Sequence, residues 1–169
     1  MDNNLNYIRF PSNALKRPRN PDQWKKNIPR KRRNLGKEYT SYSTGKLIPE
    51  RSIGEPCGCR LKCFENISED DRQKIFSDFW NSGSHRIQTS FIQKSVQQNK
   101  PKHHTTTDPA KQRKCARIYF LSTSDGNTVR VCLKAFCSIL GETERRVKYA
   151  CDAMMTDSGE FLLIILIRP

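Results

Sequence analysis

The sequence predicts a small α+β domain that is stabilised by a structural zinc ion and preceded by a disordered basic arm. Three cysteines fall close together at residues 57–63. Amphipathic helical patterns alternate with a β-hairpin pattern along the rest of the domain. Hydrophobic residues make up only 35% of the 169-residue chain. Because this composition supports only a small core, we expect a metal ion to supplement it.

The cysteine content indicates a reducing compartment. Seven cysteines are an odd number, which does not complete a set of disulfides. No apolar secretory segment follows Met1. The apolar run at residues 161–167 is much shorter than the roughly 20 residues that span a bilayer as a helix. We therefore expect an intracellular protein with no membrane partner, in which residues 156–169 form an apolar tail.

Positive charge is concentrated in two segments that flank a neutral region. The formal net charge is +14. Residues 1–52 carry 13 Lys or Arg against 4 Asp or Glu, and residues 100–114 carry 5 against 1. A clustered basic segment suits a polyanion, because each neutralised phosphate releases counterions. The candidate DNA-binding residues of the arm are Lys25, Lys26, Arg30, Lys31, Arg32 and Arg33.

The same basic clusters also suit nuclear import. Two clusters about ten residues apart, at 16–19 and 30–33, are typical of a bipartite import signal. Import and DNA contact are compatible, and we expect residues 1–52 to be largely disordered. Asn20 and Pro21 suit the start of a short helix, which Pro29 is expected to break or end.

Two amphipathic helices are predicted after the cysteine cluster. Ser68 begins the first helix in a sequence similar to a capping box, and this helix should end near Gly83. The second covers roughly residues 84–98 and packs against the first as a helical hairpin. Residues 99–114 are predicted to be a disordered basic loop. The apolar faces of the two helices contain Ile75, Phe76, Phe79 and Trp80, and then Ile87, Phe91, Ile92 and Val96.

A β-hairpin and a second pair of helices complete the predicted domain, which covers residues 53–155. The strands are expected at residues 116–123 and 128–133, joined by a turn that contains Asp-Gly. Gly141 should then end one helix and Thr143 should begin another. This pattern suits a helix–turn–helix, whose second helix would offer Arg145, Arg146 and Lys148 to a DNA groove. The alternative is a helical pair with a purely structural role.

The cysteine cluster predicts one structural zinc site. Residues two apart in an extended segment point to the same side, so Cys57 and Cys59 can bind one ion, and Cys63 can join after a turn. We expect Cys132 as the fourth ligand, because a cysteine on the polar face of a strand is poorly explained as core filling. Weaker candidates are Cys151 and His85.

The residues around these thiols do not suggest catalysis. A catalytic zinc needs an open coordination position and a nearby general base, and no group of His and Glu accompanies the cysteines. The acidic sequence at residues 69–71 is better explained as a helix N-terminus than as a Mg²⁺ site. We therefore expect no enzymatic activity and no small-molecule substrate.

Several motifs, taken in order, resemble one family. The resemblance is to the N-terminal region of a multi-copy set of uncharacterised invertebrate proteins that look transposon-derived, and it covers about residues 16–148. It supports the four predicted metal ligands as a set, and it implies association with DNA. The motifs are Arg19-Asn-Pro21, Trp24-Lys-Lys-Asn27, Cys57-x-Cys59-x3-Cys63, and Val131-Cys132 followed by Phe136 and Leu140-Gly141.

Residues and resemblance together lead to one expected function. We expect a non-enzymatic nuclear module, derived from a transposable element, that binds double-stranded DNA and an import receptor. The alternative is a protein-interaction module, or a degenerate transposon fragment without selected activity.

Overall fold

The computed structural model describes residues 19–103, 106–112 and 114–153. Within these residues the chain is an α+β fold, as predicted, with two antiparallel sheets. The apolar tail at 156–169, the basic residues at 16–18 and His104 lie outside the described residues. The helices are α1 (Asn27–Asn34), α2 (Cys63–Asn66), α3 (Glu69–Asn81), α4 (His85–Lys94), α5 (Leu133–Leu140) and α6 (Glu144–Asp152). The strands are β1 (Tyr39–Thr40), β2 (Leu47–Ile48), β3 (Val96–Asn99), β4 (Ala116–Ser122) and β5 (Thr128–Val131).

Residues 19–52 are folded, which differs from the predicted disordered arm. A 3-10 turn at Pro21–Gln23 precedes α1, and β1 pairs with β2 as a short hairpin. Pro29 does not end the helix. It lies in the first turn of α1, where the backbone amide that proline lacks would have no partner within the helix.

Contacts with later parts of the chain hold this segment in place. The amide of Arg51 donates to the carbonyl of Gly36 at 2.7 Å, and Gly36 lies against the indole ring of Trp80. The Arg51 guanidinium donates to the Gly141 carbonyl at 3.2 Å. Because these partners are distant in sequence, local composition alone does not reveal the order of the segment.

Helix α3 begins as predicted. The Ser68 hydroxyl accepts from the Asp71 amide at 3.1 Å and donates to the Asp71 carboxylate at 2.7 Å. Asp71 also accepts from the amide of Ser124 at 2.8 Å, in the turn between β4 and β5. Hydrogen bonds from Ser124 and Ser68 lower the pKa of Asp71 to about 2. Asp71 therefore connects the start of α3 to the turn between β4 and β5.

The second predicted helix is shorter than expected. Helix α4 ends at Lys94, and residues 96–99 form β3, which pairs with β4. The predicted two-stranded hairpin is therefore a three-stranded sheet in the order β3-β4-β5. Val96 is buried as predicted, but it lies in a strand opposite Tyr119. Pairing with β4 gives the backbone N–H and C=O groups of this polar segment hydrogen-bond partners. The local sequence does not predict this pairing, because the partner strand is distant in the chain.

The last predicted elements form with one shifted boundary. Strand β5 ends at Val131, so Cys132 and Leu133 do not continue it. Cys132 is the N-cap of α5, and Leu133 is the first residue of that helix. Gly141 ends α5 in the left-handed conformation, and the Thr143 hydroxyl caps α6, as predicted. In the predicted loop at 99–114, a 3-10 turn forms at Pro109–Lys111.

The core lies between the three-stranded sheet and the helices. Phe136 on α5 packs against Tyr119 of β4, with ring centroids 5.4 Å apart. Trp80 on α3 donates from its indole nitrogen to the Leu140 carbonyl at 3.0 Å. Phe79 contacts the Trp80 ring edge-on. These contacts join α3, α5 and β4 into one core.

Among the described residues, no helix combines the length and the apolar composition needed to cross a membrane.

Candidate metal centre and basic surface

The structure brings all four predicted thiol ligands together. The sulfur atoms of Cys57, Cys59, Cys63 and Cys132 all lie within 4.8 Å of one another. The Sγ atoms of Cys57 and Cys59 are 3.6 Å apart, and those of Cys59 and Cys63 are 3.5 Å apart. These four side chains therefore form a group that could hold one metal ion.

A tight turn positions the first three thiols. The Lys62 amide donates to the carbonyl of Cys59 at 3.0 Å. Lys62 has a φ of 47° and is the one residue other than glycine with a positive φ among those described. This left-handed residue reverses the chain after Cys59, and Cys63 then begins α2 with a fully buried side chain.

The fourth thiol comes from the N-terminus of α5. The Cys132 amide donates to Cys63 Sγ at 3.3 Å, and Cys132 Sγ accepts from the Ala135 amide at 3.3 Å. Cys132 thus belongs to the thiol cluster, as predicted, but it reaches the cluster from a different element than the predicted strand. Cys132 is brought to the site as a helix N-cap after β5 and not by the alternation of side chains along a strand.

The four thiols influence one another electrostatically. Burial raises the pKa of Cys63 to about 12, and burial also raises the pKa of Cys132. At Cys59 partial desolvation opposes ionisation, but hydrogen bonds from Cys63, Leu61 and the other two thiols outweigh it and lower the pKa to about 7. The cluster by itself thus favours one thiolate. A divalent cation would supply the charge that lets all four ionise.

The arrangement fits a tetrahedral ion. Four sulfurs around an ion with metal–sulfur distances of about 2.3 Å form a tetrahedron whose edges are roughly 3.8 Å. The two short sulfur–sulfur distances are close to that edge. The cluster contains neither imidazole nor carboxylate. Four thiols complete the coordination, so the group suits a closed structural site better than a catalytic one.

The weaker ligand candidates lie elsewhere. Cys151 is buried on α6, and His85 is at the start of α4; neither belongs to the cluster. Cys115 is half-buried before β4, and Cys137 is buried on α5. Burial raises the pKa of Cys137 to about 12 and that of Cys151 to about 11, as expected for thiols that only fill the core.

The candidate DNA-binding residues of the arm are all at the surface of α1 or just before it. All six basic side chains are exposed, and the helix that carries most of them rests on the core through Gly36 and Trp80. The arrangement is thus a fixed basic surface on a folded support. The six residues are Lys25, Lys26, Arg30, Lys31, Arg32 and Arg33.

The three candidates on α6 differ from one another. Arg145 is exposed. Lys148 is exposed too, but its ammonium group pairs with Glu144 at 3.1 Å. Arg146 is half-buried and donates to the Thr89 hydroxyl at 3.0 Å. One of the three, Arg146, is therefore directed toward α4 and not outward from α6.

Two residues with important contacts were not among the sequence candidates. Arg51 connects Gly36 to Gly141 through its amide and its guanidinium. Gln88, the one buried polar residue among those described, donates to the carbonyl of Asn34 at 2.8 Å. A glutamine beside the apolar face of a predicted helix is a weak signal, and nothing in the local sequence distinguishes Arg51 from other basic residues of the arm.

Comparison with known proteins gives no match: no family model, no curated protein and no solved structure is significantly similar to this chain.

Proposed function

We propose that this chain is a non-enzymatic DNA-binding module stabilised by one structural zinc ion. The observation that carries the proposal is the combination of a four-thiol cluster with an exposed basic helix on the same folded unit. The cluster would stabilise a small core, and the basic helix would contact DNA phosphates.

Zinc is the metal that best suits the ligands. Four thiolates in a tetrahedral arrangement favour Zn²⁺ or iron–sulfur chemistry over Mg²⁺ or Ca²⁺, which prefer oxygen ligands. Sulfur–sulfur distances of 3.5 and 3.6 Å match a single tetrahedral ion. The role would be structural, because four protein ligands leave no position for a substrate.

Duplex DNA is the partner that best suits the basic surface. Charge-assisted contacts from Lys and Arg to phosphates dominate the affinity of non-specific DNA binding. The six exposed basic side chains in and before α1 are close to one another in sequence, and Arg145 on α6 adds a seventh. The proposal extends to nuclear localisation through an import receptor and to origin from a transposable element, which rest on the basic clusters and on the motif resemblance.

A salt titration tests the DNA proposal. Zinc-loaded protein and a labelled duplex would be followed by fluorescence anisotropy at several salt concentrations. For the double variant Arg30→Gln and Lys31→Gln we expect the slope of log K against log salt to decrease by about 2, or about 1 for each lost phosphate contact. The matched control is Arg130→Gln with Lys134→Gln, which removes the same charge from exposed positions on β5 and α5.

Two results would count against DNA binding. The first is an absence of binding at low salt by folded, zinc-loaded protein. The second is an equal loss of affinity in the double variant and its control, since that would assign the effect to net charge and not to the basic helix.

A protein-interaction module remains the alternative. Trp24 and Ile28 lie next to the basic residues and are 52% and 45% exposed. Apolar side chains of this size at the surface are typical of a protein contact. In that case Trp24→Ala would abolish capture of the protein partner and would leave any DNA binding unchanged.

A further inference from the structure

Three helices converge on the first turns of α4. The Gln88 side chain donates to the carbonyl of Asn34, the last residue of α1, at 2.8 Å. On the neighbouring residue, the Thr89 hydroxyl accepts from the Arg146 guanidinium of α6 at 3.0 Å. Because Gln88 and Thr89 are consecutive, the C-terminus of α1 and the N-terminal turn of α6 reach the same part of α4.

This convergence brings three basic side chains together. Arg33 precedes Asn34 on α1, Arg146 lies on α6, and His85 is the first residue of α4. Partial desolvation lowers the pKa of His85, and the positive charges of Arg146 and Arg33 lower it further. Burial and the charge of Arg33 also lower the pKa of Arg146. The like charges of the three groups therefore act on one another across the neighbouring ends of α1, α4 and α6.

The structure offers little compensation for this positive charge. Among the described residues, Nη1 of Arg146 is buried and has no hydrogen-bond partner. The acidic group that acts on Arg146 is Glu142, which also faces Arg51. Burial raises the pKa of Glu142 and so disfavours its charged form. The other nearby carboxylate, Glu144, already pairs with Lys148.

We propose that Arg33, His85 and Arg146 together bind one backbone phosphate of duplex DNA. The phosphate would accept from both guanidinium groups and from the imidazole. Thr89 is a positioning residue, because its hydroxyl directs the Arg146 guanidinium toward the junction. We refer to these three basic side chains as the phosphate junction.

The phosphate junction changes the expected role of α6. The sequence pattern suggested that the start of this helix enters a DNA groove. In the proposed arrangement Arg146 contacts the DNA backbone at the point where α1 and α6 both approach α4, and Arg145 remains exposed beside it. Phosphate contacts set the position and orientation of a protein on DNA without reading the base sequence. This inference rests on the proposed DNA-binding function.

Two measurements on the full-length, zinc-loaded protein test the junction. The first is DNA affinity against salt for Arg33→Gln, His85→Ala and Arg146→Gln. The second is a titration with inorganic phosphate at constant ionic strength, followed by the NMR signals of the His85 ring and of the arginine Nε–H groups. The control variant is Arg130→Gln, which removes one exposed arginine from β5.

We expect Arg33→Gln and Arg146→Gln each to weaken DNA binding about tenfold, as for the loss of a charge-assisted hydrogen bond, and to lower the salt slope by about 1. His85→Ala should have a smaller effect of the same sign, and Thr89→Val should weaken binding without changing the net charge. Inorganic phosphate should shift the signals of the three junction residues in a saturable way. Near-UV circular dichroism identifies any variant that fails to fold. If Arg146→Gln fails to fold, Arg33→Gln still tests the junction, because Arg33 is exposed and its replacement should not disturb the fold.

The outcomes separate the junction from the wider proposal. If DNA binds but all three variants behave like Arg130→Gln, the junction is wrong and the proposed function stands. If DNA does not bind but phosphate saturates the three residues, they form a phosphate site that does not serve DNA, and both the proposed DNA contact and the proposed function are wrong. If neither ligand shifts these residues, the junction is overturned.

Discussion

Cys132 connects two parts of the chain that are distant in sequence. Its amide donates to Cys63 Sγ, and its own sulfur completes the four-thiol cluster while accepting from the first turn of α5. Amide hydrogen bonds to a sulfur stabilise its thiolate form and orient the ligand. The residue therefore is a helix cap and a link between α2 and α5, and in the proposed zinc site it would be the fourth metal ligand.

Replacement of Cys132 should remove the metal. For Cys132→Ser we expect the zinc content of purified protein to fall from about one ion per chain toward zero. We also expect the free energy of unfolding to fall by about 3–5 kcal/mol, as is typical for loss of a structural metal. Elemental analysis and urea unfolding measure the two effects. Cys115→Ser is the matched control, since Cys115 lies outside the cluster; equal zinc in both variants would contradict the site.

At the scale of elements, α1 depends on one close approach of backbone to side chain. Gly36 follows α1 with a φ of +69°, and a Cβ atom there would lie 2.7 Å from Cδ2 of Trp80. The residue therefore needs both the left-handed conformation and the absence of a side chain. This contact, with Arg51 and Gln88, places the basic helix on the core.

Substitution of Gly36 should therefore destabilise the docking of α1. Gly36→Ala combines about 1 kcal/mol of left-handed strain with about 1–3 kcal/mol of steric overlap on Trp80. Gly45 provides a control, because its φ is +67° but no atom lies within 4 Å of its Cβ position. Urea unfolding should show a larger loss for Gly36→Ala than for Gly45→Ala. Equal losses would mean that α1 does not rest on Trp80 as described.

At the scale of the whole molecule, the four-thiol cluster joins the end of the N-terminal segment to the centre of the domain. Cys57 and Cys59 precede α2, whereas Cys132 lies between β5 and α5. Four thiols without a metal ion supply only weak hydrogen bonds to such a link, and burial raises the pKa of Cys63 and Cys132. The free energy of metal binding would therefore contribute directly to folding.

Removal of the metal should unfold the domain as a whole. On addition of a zinc chelator we expect loss of the near-UV circular dichroism of Trp80 and a large decrease in Tm, with recovery when zinc is restored. A chelator already saturated with zinc is the control. An unchanged Tm in metal-free protein, confirmed by elemental analysis, would contradict a structural role for the ion.

The predictability of each feature depends on whether its cause is local. The cap of α3 at Ser68, the left-handed Gly141 and the Thr143 cap of α6 were predicted correctly, because short-range hydrogen bonds and backbone conformation determine them. The end of α4 and the formation of β3 were not predicted, because residues 96–99 pair with residues 116–119, which are about twenty positions away.

The candidate sites show the same division. The sequence alone determined the thiols, the basic residues of α1 and the amphipathic faces, because these depend on residue type and spacing. Only the tertiary structure decided that residues 19–52 are ordered, that Cys132 reaches the cluster as a helix cap, and that the charges of Arg33 and Arg146 act on His85. These features arise from packing and electrostatic contacts between residues tens of positions apart, so no local sequence pattern predicts them.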